Sequence, residues 1–179
     1  KYSKYDTIKD YEASVKKSLL KTKKESAETT IKNTLWNQIV ADTTVKKYPE
    51  KQYKYEQEQV TQKYKKMAKN YNLSWKKFLK NYMGTTESGF KTQAKAYAKT
   101  VVKQKLVMYD IAKKENLKVT NKEYKKYLSN LLSNAGFTES SFKKQYNETI
   151  EEYGEENDFK TNLLLQKVMD KVLEEGKAK

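Results

Sequence analysis

The chain has 179 residues, of which 36% are hydrophobic and 34% are charged, with five glycines and one proline. So few turn-forming residues argue against an all-β or α/β fold, and the sequence predicts an all-α, elongated multi-helix body. Cysteine and histidine are absent. Their absence excludes a disulfide framework, Cys/His zinc sites, thiol nucleophiles and histidine-based acid–base catalysis.

The net charge is +15, and all 38 basic residues are lysine. A basic chain suggests a polyanionic partner. Sequence-specific readers of nucleic acid, however, rely on arginine for bidentate contacts to bases and phosphates. We therefore predict no specific nucleic-acid partner. Lysine-driven binding to nucleic acid or an anionic surface stays open as an alternative, which steep salt dependence would mark.

The sequence contains no apolar run near the ~18 residues that a membrane span requires, so we predict no transmembrane segment. The chain starts at Lys1 without a methionine. We expect it to be a fragment, and a targeting segment or further domain can precede it.

Residues 1–43 are predicted to form a long helix of the body. Thr7 and Asp10 have the spacing of a capping box at its start. Apolar residues recur at helical spacing near both ends, whereas the middle is polar, so we expect both ends to be buried. Pro49 fits the first turn of a new helix, because a missing N–H costs nothing there.

A first arm is predicted over residues 44–84. Its long helix has only one apolar residue per turn, which is typical of a two-helix arm. Ser74 is expected to cap a short helix that Gly84 ends. The central helix, residues 85–117, is the predicted site of deepest burial.

A second arm is predicted over residues 118–154, and a terminal body helix over residues 155–179. "TNKE", Thr120 to Glu123, has the sequence of a capping box. Thr138 is expected to open one helix that Gly154 stops. The stretches "FLKNY" and "FKKQY" give a weak indication of two similar helix–turn–helix pieces.

No nucleotide-binding or nucleophile motif is present. The acidic stretch Asn147 to Asp158 lacks the spacing of a calcium loop and is expected to be a solvated helix face. We predict no catalytic residue, no metal site and no cofactor. Tyrosine and methionine on thin helical stripes are adaptable contact residues. They can leave apolar patches open to a partner, or be buried in a homodimer, which would make the chain a structural dimerising module.

The order of these elements resembles the C-terminal domain of trigger factor, a family of bacterial folding chaperones. "LWNQIVADTTVKKYPEKQYKYEQEQ", "IAKKENLKVT" and "LLLQKVMDKVLEE" carry the resemblance, which covers essentially the whole chain. In the first stretch, the positions comparable to the family pattern are Leu35, Ile39, Val40, Val45, Pro49 and Glu56.

The resemblance implies a body with two helical arms that form a cradle, and weak, multivalent binding of unfolded or nascent polypeptides. Trp75 and Phe78 are expected to be structural. Carried over by position, the expected peptide-binding residues are Val60, Tyr64, Met67 and Tyr71 on the first arm and Leu128, Leu132, Phe137, Phe142 and Tyr146 on the second.

Full-length members of that family also carry a ribosome-docking domain and an FKBP-like prolyl isomerase domain. This chain contains neither, so the resemblance implies isomerase activity and ribosome binding for a parent protein and no enzyme activity for this segment. It also implies a cytoplasmic location. Because a charge of +15 is unlike the usual acidic members, an extracytoplasmic, lipid-anchored foldase of the SurA/PrsA type in a Gram-positive bacterium is the alternative.

Overall fold

A computed structural model describes the backbone of residues 4–177 and the side chains of residues 4–176. Within that range the chain forms eight α-helices and no strand, which confirms the predicted all-α class. The helices are α1 (Ile8–Asp42), α2 (Glu50–Asn70), α3 (Trp75–Tyr82), α4 (Glu87–Lys114), α5 (Asn121–Asn134), α6 (Glu139–Tyr146), α7 (Ile150–Glu156) and α8 (Phe159–Lys177).

The chain divides into two compact units. We call Val40–Asn116, which contains α2, α3 and α4, the inner unit, because it lies between the two sequence segments of the other unit. That other unit, the outer unit, contains the residues up to Ile39 and those from Leu117 onward. The division of the chain into body and arms, and the cradle, stay predictions.

The two ends of α1 differ in burial. Its start is capped as expected, since the Asp10 N–H donates to the Thr7 hydroxyl at 3.1 Å. Near its end, Trp36 and Val40 are buried. At its start, however, Ile8 is 79% exposed. The expectation that both ends are buried is therefore wrong for the first half of α1, whose apolar side chains lie in solvent rather than beneath a neighbouring helix.

Pro49 lies at the N-cap of α2, one position before the predicted first turn. Its φ of −65° and ψ of 114° are extended, and its carbonyl accepts the Tyr53 N–H at 3.0 Å. The proline suits either position, because neither needs its N–H. The proline therefore marks the start of α2, several residues after α1 has ended at Asp42.

The core of the inner unit lies between α2 and α4. Helix α4 buries seven residues along its length, which confirms it as the most buried helix in the described range: Phe90, Ala94, Ala98, Val102, Val107, Met108 and Ala112. One carboxylate is buried with them. Glu56 on α2 is 7% exposed and pairs with the Lys105 ammonium on α4 at 2.9 Å. It also accepts a hydrogen bond from the Gln52 amide at 2.7 Å.

Each unit contains the same kind of helix–turn–helix. Helices α2 and α5 end at left-handed residues, Asn72 with φ of 53° and Gly136 with φ of 74°. In each case the next N–H reaches back to the last turn, from Leu73 to Ala68 at 2.9 Å and from Phe137 to Leu132 at 2.8 Å. This is the Schellman pattern, which satisfies carbonyls at a helix end.

A capped short helix follows each of these turns. The Ser74 hydroxyl accepts the Lys77 N–H, and the Thr138 hydroxyl accepts the Ser141 N–H. Four residues after each cap stands a buried phenylalanine, Phe78 or Phe142. The weak sequence similarity therefore corresponds to two locally similar structures.

The predicted helix from Thr138 to Gly154 is wrong. It breaks at Asn147, which is left-handed with φ of 59°. Helix α7 then begins with a capping box between Thr149 and Glu152. Gly154 lies inside α7 and is buried, so it does not end the helix. The sequence "TIEE" at 149–152 contains the threonine and glutamate of a capping box, which marks a helix start. Gly154 instead allows close packing inside the outer unit.

Gly154→Ala is expected to destabilise the outer unit by about 1 kcal/mol. A Cβ there would lie 2.6 Å from the Tyr124 hydroxyl and 3.2 Å from Phe159. Overpacking of this kind costs about 1–3 kcal/mol and outweighs the gain of about 1 kcal/mol from alanine in a helix. At Gly176 the nearest atom to a new Cβ is on Leu35 at 3.6 Å, an ordinary contact.

Urea unfolding of both variants tests this account. Gly176→Ala is the control and should be neutral or stabilising. Tyr124→Phe removes a buried hydroxyl that has no hydrogen-bond partner among the described residues. In that background Gly154→Ala should cost less. A stabilising Gly154→Ala in the unaltered chain would contradict the packing role.

A network of hydrogen bonds to charged side chains links α5 to α8. Glu123 completes the predicted capping box with Thr120 and also pairs with Lys167. The Lys167 ammonium donates in addition to the Lys118 carbonyl at 2.7 Å. The hydrogen bond from Lys167, with those from Thr120, lowers the pKa of Glu123 from 4.5 to about 2.

This shift predicts a pH dependence of stability. Because the pKa of Glu123 is lower in the folded than in the unfolded chain, its contribution is complete above pH 4.5 and is lost as the pH falls toward 2. We expect the urea midpoint of the unaltered chain to fall more steeply over that window than that of Glu123→Gln. Glu174→Gln, at an exposed position on α8, should keep the steeper fall. Equal slopes for all three proteins would contradict the prediction.

Candidate functional site

One face of α2 carries all four residues predicted on the first arm. Val60, Tyr64, Met67 and Tyr71 recur at helical spacing and therefore share a side of the helix. Their burial decreases along the helix. Val60 and Tyr64 are half-buried against the core, whereas Met67 and Tyr71 are exposed.

A cleft of about 260 Å³ opens beside the first two of these residues. Its walls come from α2, from α4 and from Met83 at the end of α3. The Tyr64 ring meets Phe90 edge-on, with centroids 5.6 Å apart, which fixes one wall. Tyr97 on α4 stands at the edge and is exposed. The cleft is thus mainly apolar, with Lys63 and Gln93 as its polar members.

Beyond the cleft lies a stack of aromatic rings. Phe78 is buried and stacks with Tyr71, Trp75 and Tyr82 at centroid distances of 6.3, 6.2 and 5.6 Å. Tyr71 and Tyr82 also stack on each other at 5.1 Å and are 54% and 60% exposed. The buried ring therefore positions two tyrosines that are each more than half exposed.

We define the α2–α4 face as the surface formed by Val60, Tyr64, Met67, Tyr71, Tyr82, Met83 and Tyr97. The last three were not among the predicted binding residues. The spacing of Tyr82 four residues after Phe78 was a usable signal, because such residues are neighbours on a helix. Nothing in the sequence pairs Tyr97 with α2, since that contact depends on how α2 and α4 pack.

The residues predicted on the second arm lie mostly inside the outer unit. Leu128, Leu132 and Phe142 are buried and form a cluster with Ile150. They can contact another polypeptide broadly only if this cluster opens. Phe137 is half-buried, and Tyr146 is exposed.

A cleft of about 600 Å³ lies over part of that cluster. Leu128 and Ile150 are its apolar residues. The charged residues around it have both signs: Lys125, Lys143, Glu139 and Glu151. This cleft is larger than the one on the α2–α4 face, but charged side chains of both signs surround its two apolar residues, so its lining is less suited to bind an apolar segment.

None of the helices in residues 4–177 has the length and hydrophobicity that crossing a bilayer requires. In the same range, no acidic cluster has the arrangement of a metal site.

Comparison with known proteins agrees with this architecture. The family profile described as "Bacterial trigger factor protein (TF) C-terminus" matches residues 7–174. The chain belongs to the trigger factor C-terminal family. A trigger factor from Agathobacter rectalis is 25% identical over 174 residues, which cover 97% of this chain and 39% of that protein. No solved structure matches.

Membership of the trigger factor family makes this chain a chaperone-type segment. The match covers both compact units. It also confirms the resemblance drawn from the sequence around Pro49 and Glu56. The geometry adds that Glu56 is the buried partner of Lys105 and joins α2 to α4 one helical turn before Val60.

Proposed function

We propose that the chain binds unfolded or nascent polypeptides through the α2–α4 face. The observation that supports this most is that Tyr64, in the wall of the apolar cleft, is followed at helical spacing by Met67 and by Tyr71, which stacks on the exposed Tyr82. An extended apolar segment can place one side chain in the cleft and rest its neighbours on Met67 and the tyrosine rings.

The residue types suit a binder of varied sequences. Methionine is flexible and polarizable, and tyrosine offers a large apolar surface with a hydroxyl that remains solvated. Neither demands one partner geometry. The Phe78 stack holds the two tyrosines in place before binding, so little ordering free energy is lost when a client arrives.

A second contact surface is proposed on the outer unit. Tyr146 and Phe137 would touch the client, while the buried Leu128, Leu132 and Phe142 keep the cluster in shape. Two weak contacts on one client add through effective concentration, and each alone dissociates quickly. That combination suits a chaperone that must release its clients.

The test is the affinity of the chain for a permanently unfolded, reduced and alkylated polypeptide, measured by fluorescence anisotropy. The double variant Tyr71→Ser, Tyr82→Ser should bind about tenfold more weakly or worse, because each aromatic contact contributes about 0.5–1.5 kcal/mol. The matched control is Tyr55→Ser with Tyr109→Ser, two tyrosines of similar exposure away from this face. It should bind like the unaltered chain.

Equal losses in both double variants would argue against a specific face. Binding that vanishes at high salt in every protein would favour a lysine-driven polyanion binder instead. An average molecular mass of the chain that rises with its concentration, together with a loss of solvent exposure at the tyrosines of this face, would favour a structural dimer.

We also propose that the chain is the C-terminal part of a cytoplasmic trigger factor with an FKBP-like prolyl isomerase domain and a ribosome-docking domain. The chain spans 39% of the length of the relative from Agathobacter rectalis, which supports a longer parent protein. Prolyl isomerisation and ribosome co-sedimentation of the full-length protein test this proposal, and their absence would reject it without affecting client binding.

A further inference from the structure

The first half of α1 carries an apolar face that no function above uses. Ile8, Tyr11, Val15 and Leu19 recur at helical spacing on one side of the helix. All four are exposed, and Leu20 beside them is 60% exposed. A groove of about 350 Å³ runs between Leu20 and this stripe. We name Ile8, Tyr11, Val15 and Leu19 the α1 face.

Lysines follow one edge of the α1 face. Lys9, Lys16 and Lys23 are seven residues apart, so they lie above one another, two helical turns apart. Lys16 and Lys23 line the groove, where Glu12 is the acidic residue. Among the described residues none of the three lysines has an ion-pair partner.

We propose that the α1 face binds an acidic amphipathic helix of another polypeptide. The apolar stripe would pack against the partner's apolar residues, and the lysine row would face carboxylates at its flank. Charges placed in this way select the partner and its orientation. The proposal is independent of client binding by the α2–α4 face.

Charge also decides between occupants. A second copy of the α1 face would bring another lysine row and a chain of net charge +15, and like charges repel. An anionic membrane would suit lysines on both flanks of the stripe. The edge beyond Tyr11 instead carries Ser14, Ser18 and Glu25, so the lysines that flank the stripe lie on one side of it. A helix with acids on one flank matches that asymmetry.

The test is the binding of a synthetic peptide with leucine on one helical face and glutamate beside it, measured by calorimetry on the 179-residue chain. Lys9→Gln, Lys16→Gln and Lys23→Gln together should weaken binding about tenfold. The matched control is Lys17→Gln, Lys21→Gln and Lys24→Gln, three lysines of the same helix opposite the stripe, and it should change affinity less than about twofold. Leu19→Asp should also weaken binding about tenfold, and circular dichroism verifies that the helices remain.

Four results would overturn the proposal. The first is equal binding of a peptide with the same composition in scrambled order, and the second is equal loss in the two lysine variants. The third is self-association of the chain that Leu19→Asp abolishes, which would make a second copy the occupant. The fourth is Leu19-dependent binding to phosphatidylglycerol vesicles in preference to the peptide, which would make it a membrane surface.

Discussion

Phe78→Ala is expected to lower the free energy of unfolding of the inner unit by about 3–5 kcal/mol, the usual cost of truncating a buried phenylalanine. Phe78 is 2% exposed and stacks with three aromatic rings. Truncation leaves a cavity that the surrounding rings can fill only in part. Urea unfolding followed by tryptophan fluorescence measures the loss, since Trp75 lies against Phe78.

Phe142→Ala gives a matched comparison in the outer unit. Phe142 occupies the equivalent place after its cap and packs on Tyr146 and Phe137 at 4.5 and 5.7 Å. A similar loss of stability is expected, because its side chain is buried as well. If Phe142→Ala weakened client binding with no loss of stability, Phe142 would be a client contact and not a core residue.

Glu56→Leu is expected to destabilise the inner unit by about 2–3 kcal/mol. Removing one partner of a buried ion pair costs about 3–5 kcal/mol. We expect a smaller loss than this general range because the Lys105 side chain is still 19% exposed and water can solvate its charge in part. The substitution leaves the Lys105 ammonium without the carboxylate it meets between α2 and α4. Chemical denaturation measures the change.

Two further variants separate the buried charge from other effects. Glu56→Leu with Lys105→Met should recover most of the stability, since apolar replacement of a buried pair is often neutral. Asp110→Asn breaks the exposed pair with Lys114, which water screens, and should change the stability far less. Equal costs for Glu56→Leu and Asp110→Asn would contradict the importance of burial.

Local signals in the sequence predicted most helix starts and ends. Thr120 with Glu123, Ser74 and Thr138 are caps in the structure as predicted, because a cap depends on residues within one turn. The miss at Gly154 has the opposite cause. That glycine is required by Tyr124, which lies far back in the sequence on α5, and by Phe159 at the start of α8, so only the packed structure explains it.

The candidate surface was predicted only in part, because some of its residues come together through packing between helices. Helical spacing placed Met67 and Tyr71 on one face, and the resemblance to the trigger factor family made them expected contacts. The same spacing marked Leu132 and Phe142, which the structure buries, because periodicity identifies an apolar face without saying what covers it. Tyr97 joins the site only through the packing of α4 on α2.

The most direct test of client binding by the α2–α4 face uses the four methionines, each with an isotope-labelled methyl group observed by NMR. Met67 and Met83 belong to that face, Met108 is buried in α4, and Met169 lies on α8. On titration with the permanently unfolded polypeptide, the Met67 and Met83 signals should shift saturably while Met108 stays unchanged. Shifts of Met169 alone, or no shift of Met67 and Met83 at saturation, would contradict the proposed site.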